Sequence, residues 1–224
     1  ARINRTDQKY RVIEETIDYI PDENTFACRI QGDLGGAIKK LEQPVIYCSE
    51  LYLWGDLECL PQLPHCEILN CCDQRLTELP ELSHCKELKC QGNRLKSLPD
   101  LPECELLECY DNQLKSLPPL PKCKILNCSE NALRYFPELL VCEELYCLDN
   151  KLSFIDNLPG CRILNCSYNP ISKLGDLPDC KILECEGNLL KYLPELPKCE
   201  TLKCRENELK YLPELPNCKE LFCH

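Results

Sequence analysis

Twenty-two cysteines in a chain of 224 residues are the first candidates for chemistry. Thiols hold zinc, close disulfides or attack as nucleophiles, and their spacing decides which. Eighteen of them form nine Cys-x-x-x-x-Cys pairs, such as Cys104 with Cys109 and Cys199 with Cys204. A structural zinc site wants tighter pairs, such as Cys-x-x-Cys, with two further ligands converging. A disulfide framework is irregular, because each bridge staples its own loop. These pairs recur as a ladder, which assigns them to an apolar core as small buried hydrophobes in a reducing compartment. Neighbouring strands lie about 4.8 Å apart. Thiols of adjacent repeats would then stand near bonding distance, so oxidation between rungs stays open. Cys72 breaks the pattern: it takes an outward strand position beside inward Cys71, where a thiol is oxidisable.

The other reactive residues do not assemble. His65 and His84 each precede a cysteine. Adjacent residues in extended chain point opposite ways, so neither forms a Cys/His pair with its neighbour. Both sit at one repeat position and could stack. There is no phosphate-binding glycine loop and no carboxylate pair isolated among apolar residues. The sequence therefore points to a chain that is not an enzyme, with no metal and no cofactor. A net charge of −11 repels phosphate backbones, which argues against nucleic acid as a partner. No apolar run reaches the roughly eighteen residues that a membrane span requires. No signal peptide is visible, although the chain begins at Ala1 without Met and a removed leader stays open.

The thiols are placed by a repeat. Steps of 19 residues from Leu60 land on Leu79, Leu98, Leu117, Phe136, Ile155, Leu174, Leu193 and Leu212. Nine copies fill residues 60–224, the last one incomplete. A fixed short period marks a solenoid, in which stacked units bury a core that none could bury alone. Each copy follows L-P-x-L-P-x-C-x-x-L-x-C-x-x-N-x-L-x-x. Leu107, Cys109 and their neighbours predict a short strand with alternating faces. Asn112 ends it, with an amide able to bond backbone in its own turn and in the next repeat. The same position carries Asn in later copies and Gln74 in the first. Leu98-Pro99-Asp100-Leu101-Pro102 predicts an extended, polyproline-like return arm, because proline fixes φ and removes a donor. The inward set of one copy is Leu98, Leu101, Cys104, Leu107, Cys109 and Leu114.

Residues 6–20 predict a helix, with Tyr10, Ile13, Ile17 and Ile20 at helical spacing, and Pro21 stops it. With it, residues 1–25 form an N-terminal helical cap. Residues 26–59 hold two degenerate repeats, 23 residues apart: Cys28 to Leu34 aligns with Leu51 to Leu57. Asp33 and Asp56 take the Asn place, and residues 36–42 predict a short outer helix. The chain stops at His224 without a polar closing cap, which leads us to expect further sequence beyond it.

The motif L-x-x-L-x-L-x-x-N-x-L resembles the core of leucine-rich repeats, with Cys at its first and third Leu positions. The Leu-Pro-x-Leu-Pro arm is similar to the LPX subtype of secreted effectors of Gram-negative bacteria, the YopM and IpaH/SspH group. The resemblance covers residues 26–224. It implies a curved β-solenoid, a horseshoe with short parallel strands on its concave face and an extended convex side. It also implies a protein partner, and a bacterium that secretes the chain into host cytosol. Members of the IpaH type add a ubiquitin-ligase domain after the repeats, so a substrate-selecting arm of such a ligase is the alternative. Ribonuclease inhibitor, another acidic, thiol-rich leucine-rich-repeat protein, is similar in kind and implies an inhibitor of a partner enzyme.

The strand face carries the candidate partner-binding residues. They are Leu106, Glu108 and Tyr110; Ile125 and Asn127; Glu144, Tyr146 and Leu148; Ile163 and Asn165; Ile182, Glu184 and Glu186; and Lys203 with Arg205. Aromatic and aliphatic anchors inside a charged rim are what a protein-binding patch needs. Its carboxylates suit a partner with a basic surface. A basic stripe, Lys96, Lys115, Arg134, Lys191 and Lys210, reads as a solvated flank. If the strand leucines face a stacked core, Leu145→Ala will lower stability by about 2–5 kcal/mol in a denaturant titration.

Overall fold

The computed structural model describes residues 27–31, 50–54 and 58–223. The expected N-terminal helix, the short outer helix and the Asp33 and Asp56 positions lie outside the described residues. Thirteen strands are numbered in chain order. β1 (Ala27–Gln31) and β2 (Glu50–Trp54) precede the regular repeats. Then come β3 (Ile68–Asn70), β4 (Glu87–Lys89), β5 (Leu106–Glu108), β6 (Ile125–Asn127), β7 (Glu144–Tyr146), β9 (Ile163–Asn165), β11 (Ile182–Glu184), β12 (Thr201–Lys203) and β13 (Glu220–Phe222). These eleven form one parallel sheet in chain order. β1 and β2 pair with Cys28 opposite Leu51. From β3 onward every register steps by one repeat, as in Leu69 against Leu88 and Leu107 against Leu126.

Each regular strand has three residues, because a 19-residue coil leaves room for no more. The middle leucine is buried and its two neighbours are half-buried from β3 to β12. The core is a stack of similar layers. Leu107, Cys104, Cys109 and Leu114 have no exposed surface, and their equivalents are buried from Cys66 to Cys204, whereas Leu221 of the last copy is exposed.

Cysteine suits its places for two reasons. It is small enough for a narrow coil, and its weak S–H donor finds an acceptor. The first thiol of each pair donates to the backbone oxygen two residues on: Cys66 to Ile68 at 3.1 Å, Cys104 to Leu106 at 3.2 Å, Cys199 to Thr201 at 3.3 Å. A leucine or valine there would leave that carbonyl without this donor.

Asparagine ties each coil to the one before it. In the fifth copy, Asn150 Nδ2 donates to Cys128 O at 3.0 Å and Cys147 O at 3.2 Å, and Asn150 Oδ1 accepts from Leu133 N at 2.9 Å. The sequence reading had the amide reach its own turn and the following repeat. The structure gives its own turn and the preceding one, because the Asn side chain turns back along the stack. The residue just before each Asn or Gln74 adopts positive φ. Asp73, Asp111 and Asp149 lie at 55°, 52° and 52°, and Gly187 at 63°. Aspartate and glycine tolerate this region; Glu130, Tyr168 and Glu206 enter it at a cost of about 1–2 kcal/mol each.

Among the described residues the return arms form one further sheet, which the sequence did not announce. β8 (Phe154–Ile155) and β10 (Lys173–Leu174) form a separate two-stranded parallel sheet. Asp156 and Gly175 stand there where other copies have proline, which restores a backbone donor. Gly175 N donates to Ile155 O at 2.8 Å. A Cβ on Gly175 would come within 2.6 Å of the Asn157 backbone, so the two arms approach closely only with glycine. If the Asn ladder locks the stack, Asn150→Ala will strip buried backbone groups of their partners. It should lower stability by about 2–5 kcal/mol, read as a shift of the urea midpoint.

Candidate protein-binding face

The strand register sets the candidate residues out in columns. Leu106, Ile125, Glu144, Ile163 and Ile182 stand side by side across five neighbouring strands. Glu108, Asn127, Tyr146, Asn165, Glu184 and Lys203 form the next column. Tyr110, Leu148, Glu186 and Arg205 follow their inward cysteines at the strand exits. All are half-buried except Arg205, which is exposed.

Many of the polar members bond to one another. Glu184 accepts from Asn165 Nδ2 at 2.8 Å and from Lys203 Nζ at 2.6 Å. Lys89 lies 3.8 Å from Glu108. Tyr146 donates its hydroxyl to Glu144 at 3.1 Å. Asn127 and Asn165 also accept from the backbone N–H of Ser129 and Ser167, at 3.3 and 3.2 Å. Arg205 sits over the Phe222 ring at 5.3 Å. The Glu184 hydrogen bond raises the pKa of Lys203, and desolvation is the first cause raising those of Tyr110 and Tyr146. The face is thus a fixed surface, with its charges partly satisfied before any partner arrives.

The sequence reading missed several exposed apolar residues that lie elsewhere. Tyr135, Phe154, Tyr192 and Tyr211 are 56, 43, 48 and 63% exposed, and all end a repeat copy. An aromatic at the last position of four copies was the signal. Leu140 and Val141, exposed as well, replace the second proline of the arm and its neighbour in one copy.

Burial disfavours the thiolate at most of the described ladder cysteines. All described cysteines are free. Burial pushes Cys85 and Cys123 up to about 12, and Cys161 to about 11. Cys109, Cys147 and Cys185 are raised further by burial and then by thiols of neighbouring rungs. Cys72 is half-buried, and burial raises it to about 11, so it is no reactive thiolate. His65 and His84 rings lie 6.4 Å apart and tilted. Among the described residues, no three His, Cys, Asp or Glu side chains stand together as a metal site would need. No helix among them is long and apolar enough to cross a membrane.

Comparison with known proteins agrees with this geometry. The chain is similar to YopM, a leucine-rich effector protein from Yersinia pestis, with a TM-score of 0.62 and 31% identity over 80% of this chain. The fold is that of a leucine-rich-repeat protein. The chain spans 59% of the length of that YopM chain. YopM from Yersinia enterocolitica aligns at a TM-score of 0.43 and 23% identity, over 90% of this chain and 65% of that one. A leucine-rich-repeat protein of Leptospira interrogans aligns at 0.44 and 18%, over 84% and 79%. No protein-family model and no curated protein matches the chain.

The thiol core makes a pH prediction. The folded chain keeps protons that the unfolded chain releases above a thiol pKa of about 8.5. Stability is therefore complete below that pH and falls as pH rises toward the folded values of about 11 to 12. Each such thiol removes about 1.36 kcal/mol per pH unit, so five to ten together match the stability of a whole domain within about one unit. In reducing buffer the repeats should unfold cooperatively between about pH 9 and 10.5, followed by far-UV circular dichroism. A chain still folded at pH 11 would contradict the buried thiol ladder.

Proposed function

We propose that this chain is a non-enzymatic protein-interaction module that holds a partner protein on its strand face. The observation that carries this reading is the row of side chains fixed across β5 to β12. Ile125, Tyr146 and Ile163 supply apolar anchors at its centre. Asn165, Glu184 and Lys203 are locked beside them by hydrogen bonds. A surface already ordered loses little conformational entropy on binding, so a modest contact area yields useful affinity. Glu144 and Glu186 bias the partner toward a basic surface. The relative from Yersinia pestis is described as an effector, and its likeness supports an effector role, which we assign to host cytosol. A core of free thiols suits that reducing setting. Occlusion of a partner enzyme is the simplest mechanism for such a module.

Tyr110→Ala with Tyr146→Ala tests the face. The pair should abolish capture of the partner in affinity pull-down with mass spectrometry, and leave the melting curve unchanged. Capture at the wild-type level would rule out the strand face.

A further inference from the structure

Each coil returns on the side away from the main sheet, and there a five-residue stretch recurs. Arg134-Tyr135-Phe136-Pro137-Glu138, Lys191-Tyr192-Leu193-Pro194-Glu195 and Lys210-Tyr211-Leu212-Pro213-Glu214 share one order: cation, aromatic, apolar, proline, carboxylate. Lys96 to Asp100 repeats it with Ser97 in the aromatic place. In all of them the cation and the carboxylate are exposed, and the central apolar residue is buried or half-buried. Stacking converts the stretch into basic, aromatic and acidic stripes, continuous from Lys191 to Lys210 and interrupted where Ser153 and Ser172 take the cation place. The Tyr192 and Tyr211 rings lie 5.4 Å apart, with Lys210 Nζ 5.9 Å from the Tyr192 ring.

These stripes differ from the other charged columns. In one other column most adjacent rungs carry opposite charges and pair: Glu67 with Lys86 at 2.7 Å, Glu105 with Lys124 at 2.7 Å, Glu200 with Lys219 at 2.5 Å, with Arg162 and Lys181 the exception. On the flank Lys191 is followed by Lys210, and Glu195 by Glu214. Like charges one rung apart, about 4.8 Å, destabilise the isolated chain. Of the charges in these four stretches, only Lys191 has an ion pair among the described residues, with Glu208 at 3.8 Å. Among the described residues Lys210, Glu195 and Glu214 have no paired opposite charge within the coil.

We propose that this flank is a homodimer interface, with a second copy of the chain as its occupant. The stretch changes sign about its centre, so it is complementary to itself. A twofold axis parallel to the solenoid lays the basic stripe of one copy on the acidic stripe of the other. Lys191 then faces Glu195 of the partner subunit, and Tyr192 lies over Pro194 of the partner subunit. A twofold axis across the stripes would set basic on basic, so the charges select one orientation. Proline at the fourth place has no N–H to add a strand, which makes the contact one of side chains. An isologous contact of this kind closes on itself as a dimer and leaves the strand face free.

Sedimentation equilibrium of the full chain tests this. The wild type should dimerise with rising concentration. Lys191→Glu with Lys210→Glu should weaken association about tenfold or more, because four attractive pairs become repulsive. Glu195→Lys with Glu214→Lys should do the same, and an equimolar mixture of the two variants should associate again. Tyr192→Ser with Tyr211→Ser should also weaken the dimer, with circular dichroism unchanged. A wild type that stays monomeric at its highest soluble concentration would overturn the proposal. So would a dimer that both charge reversals leave intact, or variants that fail to associate when mixed.

Discussion

A coil of 19 residues must close on itself, and nearly everything else in the structure answers that constraint. So short a circuit has no room for a helix on its outer side. Proline keeps the return arm extended, and the strand shrinks to three residues around one buried leucine. The interior is narrow, so a small apolar side chain that can also satisfy a carbonyl is preferred at the strand entry. Cysteine meets both needs, as the contact from Cys104 Sγ to Leu106 O at 3.2 Å illustrates. Asparagine then joins the coils: the Asn150 amide satisfies backbone groups of two repeats at once. The cost falls on the residue before it, which is driven into positive φ even where it is Tyr168 or Glu130.

The period carried the fold into the sequence, because a solenoid has no other long-range information to encode. The step of 19 fixed the register, the alternation around Leu107 fixed the inward face, and the Leu-Pro arm fixed the return path. Direction was harder. Asn112 announces a turn, but an amide that can donate and accept does not say which neighbour it will reach. The β8–β10 ladder was hidden for a different reason. It arises from what is missing, a proline at Asp156 and at Gly175, and a lost restriction leaves a weaker mark than a motif.

The surface was legible only in part. Alternation picked out the strand-face columns as positions. It could not show that Glu184 is held by Asn165 and Lys203, or that Tyr146 is tied to Glu144, because those bonds depend on the rung spacing. Those bonds turn a list of outward residues into a stiff, partly neutralised surface. The opposite flank has the contrary character. Its charges do not alternate, its tyrosines stand free of the core, and its pattern becomes visible only when the copies are stacked.

The central claim is that the sulfurs are packed as leucines are, unbridged and dry. A short alkylation pulse read by mass spectrometry, without reductant, tests it most directly. The sixteen buried thiols should stay unlabelled in the native protein. In denaturant all twenty-two should react. Rapid native labelling of both members of the ladder pairs, or thiols still blocked after unfolding, would contradict the account.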